Sequence, residues 1–274
     1  MNKAIFFDID GTLVSFRTHE IVPSAYDAIA ALRKKGHKVF IATGRPLHLI
    51  KGLQDARFDG YITFNGSYCL TSDGEEIYCD AIPPNELSAL CQHEQQHGPY
   101  PYAFMGLNRV TVNYVNDRVI DVARLLDLPI PAVDNMDSVA RDERIIQINL
   151  YTDEADESPV MQAIPHCISN RWSPLFSDIN MRGNSKQHGI DLIATHYGIA
   201  LKDTLAFGDG GNDISMLRHA GIGIAMGNAN DTVKQNADYV TDDIDNNGIV
   251  KALRHLGLLS VSYTHLRAHE TGAY

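Results

Sequence analysis

The chain alternates strand and helix, stops, and then resumes, and this interruption constrains its fold more than any other feature. Lys3–Ile9 is an apolar run suited to a strand buried on both faces. A helix is expected over about Pro23–Lys35, with Pro23 in its first turn and Gly36 as its stop. A strand at His37–Ala42, a helix from about Pro46 and a short strand at Tyr61–Phe64 follow. This order predicts a parallel sheet with helices on both faces. Asn65-Gly66 and Asp73-Gly74 are then hairpin signals, and Pro83-Pro84 breaks the chain. The middle block mixes helices with antiparallel strands, as in α+β domains. From Ser185 the alternation returns, with strands at Thr204–Phe207 and Ile222–Met226 between helical segments. The expectation is a Rossmann-like α/β core, 1–82 and 184–259, split by an α+β domain at 83–183. The last stretch, 260–274, has no periodicity; it reads as a non-native, vector-derived tail and is set aside.

Composition narrows the class of function. Thirty-four acidic against 23 basic residues give a formal net charge of −11, which argues against a nucleic-acid or anionic-membrane surface binder. No stretch approaches the roughly 18 apolar residues of a membrane span. The N-terminus is apolar only as far as Asp8, too short for a signal peptide. Cys69, Cys79, Cys91 and Cys167 form no C-x-x-C pair, so no zinc ribbon or redox motif is signalled and a reducing cytoplasm fits best. Oligomeric state is not legible.

The chemistry concentrates at Asp8-Ile9-Asp10-Gly11-Thr12, at the end of the first strand. Alternation puts the side chains of Asp8 and Asp10 on one side. Neighbouring carboxylates repel unless a cation neutralises them or they share a proton. Gly11 permits an unusual φ and close approach of a ligand. The carboxyl ends of parallel strands are where open α/β sheets bind ligands. Together these features favour a metal-assisted carboxylate site.

Asp8-Ile9-Asp10-Gly11-Thr12 resembles the first motif of the haloacid dehalogenase (HAD) superfamily. Thr43-Gly44-Arg45 resembles the second, Lys186 the third, and Gly208-Asp209-Gly210-Gly211-Asn212-Asp213 the fourth, in the right order. Taken singly, Thr43 reads as a helix cap, Lys186 as a surface lysine, and Asp209 and Asp213 as loop and helix-start carboxylates. Their shared order and placement after strands group them. The resemblance covers about residues 3–259 and is strongest to Cof-type phosphatases with a large α/β cap of the C2 type. It implies a Mg²⁺-dependent phosphatase of small phosphorylated metabolites, sugar (hexose) phosphates foremost, working through an aspartyl phosphate.

The resemblance also implies roles. Asp8 is the nucleophile and Asp10 the general acid and base. Mg²⁺ is held by the Asp8 carboxylate, the Asp10 backbone carbonyl and Asp209, with Asp213 orienting a metal-bound water or Lys186. Thr43, Gly44 and Lys186 receive the phosphoryl group, Asn212 contacts it or a nearby hydroxyl, and Arg45 binds substrate or braces its loop. The inserted domain selects the leaving group, with Tyr102, Asn113, Arg171 and Asp178 as candidates. Two alternatives stay open: a phosphohexomutase, and a phospho-ligand sensor without turnover. Gly221–Gly227 is close to a dinucleotide fingerprint, but a helix precedes it and an apolar strand runs through it, so cofactor binding is not expected.

Overall fold

The computed structural model describes residues 2–260, so the tail set aside above lies, from residue 261 onward, outside the described residues. The chain opens with β1 (Ala4–Phe7), α1 (Pro23–Lys34), β2 (Lys38–Ala42), β3 (Gly60–Thr63), β4 (Tyr68–Thr71) and β5 (Glu76–Cys79). It continues through α2 (Pro84–His97), β6 (Tyr102–Gly106), β7 (Val110–Val112), α3 (Asp117–Leu125), β8 (Ala132–Val133) and α4 (Met136–Asp142). Next come β9 (Ile145–Leu150), α5 (Glu157–Ala163), β10 (Cys167–Ser173) and β11 (Phe176–Met181). The last stretch runs α6 (Lys186–His196), β12 (Thr204–Gly208), α7 (Ile214–His219), β13 (Ile222–Ala225), α8 (Asp231–Lys234), β14 (Tyr239–Val240) and α9 (Gly248–His255).

The strands form two sheets. The first has the order β14-β13-β12-β1-β2-β3-β4-β5, parallel from β14 to β3, with the β4–β5 hairpin added antiparallel at its edge. The fold is α/β on a parallel sheet, as the alternation predicted. Period-two burial divides the sheet's residues between two cores. Ile5, Phe7, Val39, Ile41, Leu205 and Phe207 pack with α1 and α9. Ala4, Phe6, Phe40, Ala42 and Ala206 pack with α6 and α7 on the opposite face. Both faces are buried, which is why these strands read as unbroken apolar runs.

The second sheet, β10-β11-β9-β6-β7-β8, is antiparallel except between β7 and β8. Tyr102, Phe104, Ile148, Leu150 and Ile179 face a core shared with α2, α4 and α5. Along β9 and β11 the intervening positions are Gln147, Asn149, Asp178 and Asn180, all buried and polar. They face the carboxyl end of the first sheet: Asn180 Nδ2 donates to Phe64 O at 3.1 Å and to Ser67 Oγ at 3.0 Å.

One expected element is missing. The helix from about Pro46 is only a 3₁₀ turn at Leu47–Leu49. Gly52 (φ +77°) and Gln54 (φ +50°) are left-handed, which an α-helix does not continue through. The Gly52 carbonyl accepts from Ile21 N at 2.6 Å, tying this loop to the one after β1. Conversely, β8 and α4 form where no element was expected. Asn135 caps α4 by accepting from Ser138 N.

Candidate active site

The four motifs meet at the carboxyl edge of the parallel sheet. Asp8 leaves β1 with its N–H still bonded to Phe207 O at 3.0 Å. Lys186 stands at the first turn of α6, whose start Ser185 caps by accepting from His188 N. Its fully buried ammonium donates to Asp8 Oδ1 at 2.6 Å and Asp213 Oδ1 at 2.5 Å. Asp213 uses its other oxygen to accept from the Asp209 and Gly210 amides, at 2.9 and 2.8 Å. Asp213 therefore holds both Lys186 and the loop that carries Asp209.

Asp209 is fixed from its other side. Thr12 Oγ1 donates to Asp209 Oδ1 at 2.8 Å, and Asn228 Nδ2 donates to Asp209 Oδ2 at 3.3 Å and Gly11 O at 2.9 Å. Gly11 has φ +83°, and a Cβ there would lie 2.2 Å from Asp209 Oδ2. Only glycine permits this approach of the two loops. Carboxylate oxygens of Asp8, Asp209 and Asp213 lie within 4.8 Å of one another. Burial, then the charges of Asp213 and Asp10, push the Asp8 carboxyl up to about 7, with Lys186 opposing. Asp209 is raised well above the usual carboxylate range, first by burial and then by Asp8 and Asp213. For Lys186, burial lowers the pKa, but Asp213 and Asp8 outweigh it and the net shift is upward. Fully ionised, the three carboxylates would exceed the one ammonium and leave negative charge uncompensated in a buried pocket, which is why Asp8 and Asp209 are pushed upward. An all-oxygen donor set with surplus charge fits a hard divalent cation.

Asp10 points elsewhere. Arg45 Nε donates to its Oδ2 at 2.7 Å and Arg45 Nη2 to its Oδ1 at 2.5 Å. The same Nη2 donates to the Leu126 carbonyl, at the end of α3, at 3.1 Å. Among the described residues, then, Arg45 ties Asp10 to the second sheet's side of the cleft. Thr43 Oγ1 accepts from Arg45 N at 3.1 Å, while no acceptor among the described residues takes the Gly44 N–H.

A cavity of about 360 Å³ lies between the sheets. Asp8, Asp10, Thr43, Gly44, Arg45, Asp209 and Asn212 line it from the first sheet. Asn212 Nδ2 donates to Asn65 Oδ1 at 3.0 Å. Asn65 Nδ2 donates to Asp178 Oδ2 at 2.8 Å and Gln147 Oε1 at 3.2 Å. Gln147 Nε2 in turn donates to Gly44 O at 3.3 Å. Of the four positions expected to select the leaving group, Asp178 alone borders the cavity. Tyr102 is fully buried in the second sheet's own core. Asn113 bonds Tyr102 N and Tyr100 O. Arg171 is spent on Glu157 and Thr152 O. Trp172 lines the cavity and donates to Asp178 Oδ2 at 3.2 Å. Gln147 and Asn149 also line it and were not anticipated, although polar residues two apart within Ile145–Leu150 were the available signal.

The same architecture and sequence recur in known proteins. Residues 5–253 match the haloacid dehalogenase-like hydrolase family. The HAD subclass IIB sugar phosphatase BT4131 is 44% identical, with a TM-score of 0.87 over 94% of this chain and all of that one. BT1666 from Bacteroides thetaiotaomicron, a phosphatase of the same superfamily, is 37% identical with a TM-score of 0.87 over 94% of this chain and 96% of its own. YkrA of Bacillus subtilis (strain 168) is 33% identical over 260 residues, 94% of this chain and 99% of YkrA. The chain belongs to the haloacid dehalogenase-like hydrolases and is a phosphatase of that family. No described helix is long and apolar enough to cross a membrane.

Proposed function

We propose that the protein hydrolyses phosphomonoesters of sugars, hexoses foremost, through an aspartyl phosphate on Asp8, with Mg²⁺ as cofactor. The observation that carries this reading is the buried Asp8–Lys186–Asp213 constellation, whose Asp8 lines the cavity. The 44% identity to a sugar phosphatase supports the substrate class. Residues 83–183 act as the cap over the core.

Lys186 holds Asp8 Oδ1, and Asp8 Oδ2 has no partner among the described residues, so it is the oxygen that attacks phosphorus. The phosphorus–ester bond breaks as the phosphorus–Asp8 bond forms, and Asp10 delivers its proton to the departing ester oxygen. Asp10 then takes a proton from water, which attacks phosphorus and frees Asp8 and inorganic phosphate. Both Asp10 oxygens accept from Arg45 in the resting arrangement, so before the first step Asp10 must let go of Arg45 and take up a proton from solvent. The proton it later takes from the attacking water restores the acid for the next turnover. Thr43, the Gly44 amide and Lys186 bind the transferring oxygens, a contribution of about 3 kcal/mol per well-aimed donor. Asp8 and Asp209, with the Asp10 carbonyl, hold Mg²⁺, and Asp213 fixes the loop and Lys186. When bound, Mg²⁺ neutralises the carboxylates and screens Asp8 from the phosphate dianion.

The test is phosphate release across sugar monophosphates, nucleotides, flavin mononucleotide and pyridoxal phosphate, with Mg²⁺ and with chelator. Sugar monophosphates should lead the ranking, and the chelator should abolish turnover. Undiminished turnover in chelator would refute the metal assignment.

A further inference from the structure

Asp178 is unusual among the carboxylates near the cavity. It is 2% exposed, and it comes from β11 of the second sheet. One of its oxygens, Oδ2, accepts from Asn65 and Trp172. The other, Oδ1, has no partner among the described residues, although the side chain borders the cavity. Gly44 lets it approach the phosphate loop closely: a Cβ there would lie 2.9 Å from Asp178 Oδ2. Any side chain at position 44 would push this carboxylate away from the phosphate loop. Asp178 therefore borders the cavity beside the Thr43-Gly44-Arg45 loop.

The rest of that wall is sorted by chemistry. Leu125, Leu126, Leu128, Trp172 and Phe176 supply apolar surface. Arg45 is the only cationic side chain among the described residues that line the cavity, and its guanidinium is taken by Asp10, Leu49 O and Leu126 O. A second phosphate or a carboxylate on the substrate would meet the Asp178 carboxylate, while the nearby cations stay engaged: Lys186 by Asp8 and Asp213, and Arg45 by Leu49 O and Leu126 O even once Asp10 is released. A neutral polyol would meet a buried acceptor on one edge and apolar surface on its face, which suits a sugar ring.

We infer that Asp178 is a specificity-determining residue, accepting a hydroxyl hydrogen of a neutral polyol leaving group and turning away substrates that carry a second anion. This rests on the phosphatase reading above. It also separates the protein from a phosphohexomutase, which must bind a sugar bisphosphate in the same cleft.

The experiment compares kcat/KM of the full chain and its Asp178→Asn variant on a hexose monophosphate, a hexose bisphosphate and p-nitrophenyl phosphate, all with Mg²⁺. A site built around a hydroxyl discriminates strongly against leaving groups that lack one. The ratio of hexose monophosphate to p-nitrophenyl phosphate should fall about tenfold or more in Asp178→Asn, chiefly through KM. The gap between monophosphate and bisphosphate should narrow in the variant. Damage to the fold alone lowers all three rates together and leaves the ratios standing, so unchanged ratios overturn the inference. Should Asp178→Asn not fold, the parent protein still decides. It should use the monophosphate about tenfold or more better than the bisphosphate, and parity would overturn the inference. If the parent releases phosphate from none of the three, the phosphatase reading falls, and the role of Asp178 falls with it.

Discussion

Arg45 grips Asp10 through two parallel hydrogen bonds, Nε to Oδ2 at 2.7 Å and Nη2 to Oδ1 at 2.5 Å. It also donates to Leu126 O across the cleft. The fork geometry fixes where the Asp10 carboxyl waits, which a lysine's point charge does not do. Arg45→Lys should therefore misplace Asp10, the proposed proton donor. On alkyl phosphates, whose leaving oxygen needs a proton, kcat should fall about 10²-fold. On p-nitrophenyl phosphate, whose leaving group departs unprotonated, the loss should be much smaller. Equal losses on both substrates would contradict the positioning role.

Among the described residues, Lys186 is the one ammonium paired with the buried Asp8 and Asp213, and it is itself fully buried. Removing one partner of a buried ion pair leaves the others uncompensated, at about 3–5 kcal/mol. Lys186→Met should lower stability by about that much in chelator, measured by denaturant unfolding. Added Mg²⁺ should recover part of the loss, because a second cation then faces the same carboxylates. A variant as stable as the parent in chelator would show that the buried Lys186 ion pairs do not stabilise the fold.

Burial pushes the Asp178 carboxyl up to about 6 from its ordinary 3.8, and the bonds from Asn65 and Trp172 only partly oppose this. Between those two values the folded protein keeps a proton that the unfolded chain has already released. The contribution of Asp178 therefore lowers stability as pH rises from about 4 to about 6 and is constant above that. Asp178→Asn removes this dependence. Its stability relative to the parent should rise across the same window and then level off. Denaturant midpoints at four or five pH values check this, and a difference that does not vary with pH would contradict it.

Much of the fold and the core site was legible in the sequence, for identifiable reasons. The strands of the first sheet are buried on both faces, so β1, β2 and β12 read as apolar runs with the motif residues at their ends. Asp8, Asp10, Thr43, Asp209 and Lys186 stand at strand ends or a helix start, and sequence order alone brings them to one edge. What was not legible depends on contacts between distant segments. The missing helix after Pro46 reflects left-handed Gly52 and Gln54 in a loop tied to Ile21, and a local pattern does not carry that. The sequence leaves Arg45 equally suited to substrate or brace, and its contacts to Asp10 and Leu126 O come from segments far apart in the chain. On the second sheet, Gln147 and Asn149, like Asp178 and Asn180, are polar residues two apart in buried strands. That alternation was present in the sequence. Without the facing loop of Phe64–Ser67, it did not say what the polar face turns toward.

Trapping the phosphoryl group on Asp8 is the sharpest test of the proposed covalent intermediate. Asp10→Ala keeps Asp8, the proposed nucleophile, but removes the proposed base, while p-nitrophenyl phosphate needs no acid for the first step. With this pair and Mg²⁺, rapid mixing should give a burst of p-nitrophenol approaching one equivalent per site, followed by slow turnover. Acid quench and peptide mapping should then find the phosphoryl group on the segment that contains Asp8. Steady release without a burst, or label on any other residue, would contradict the account.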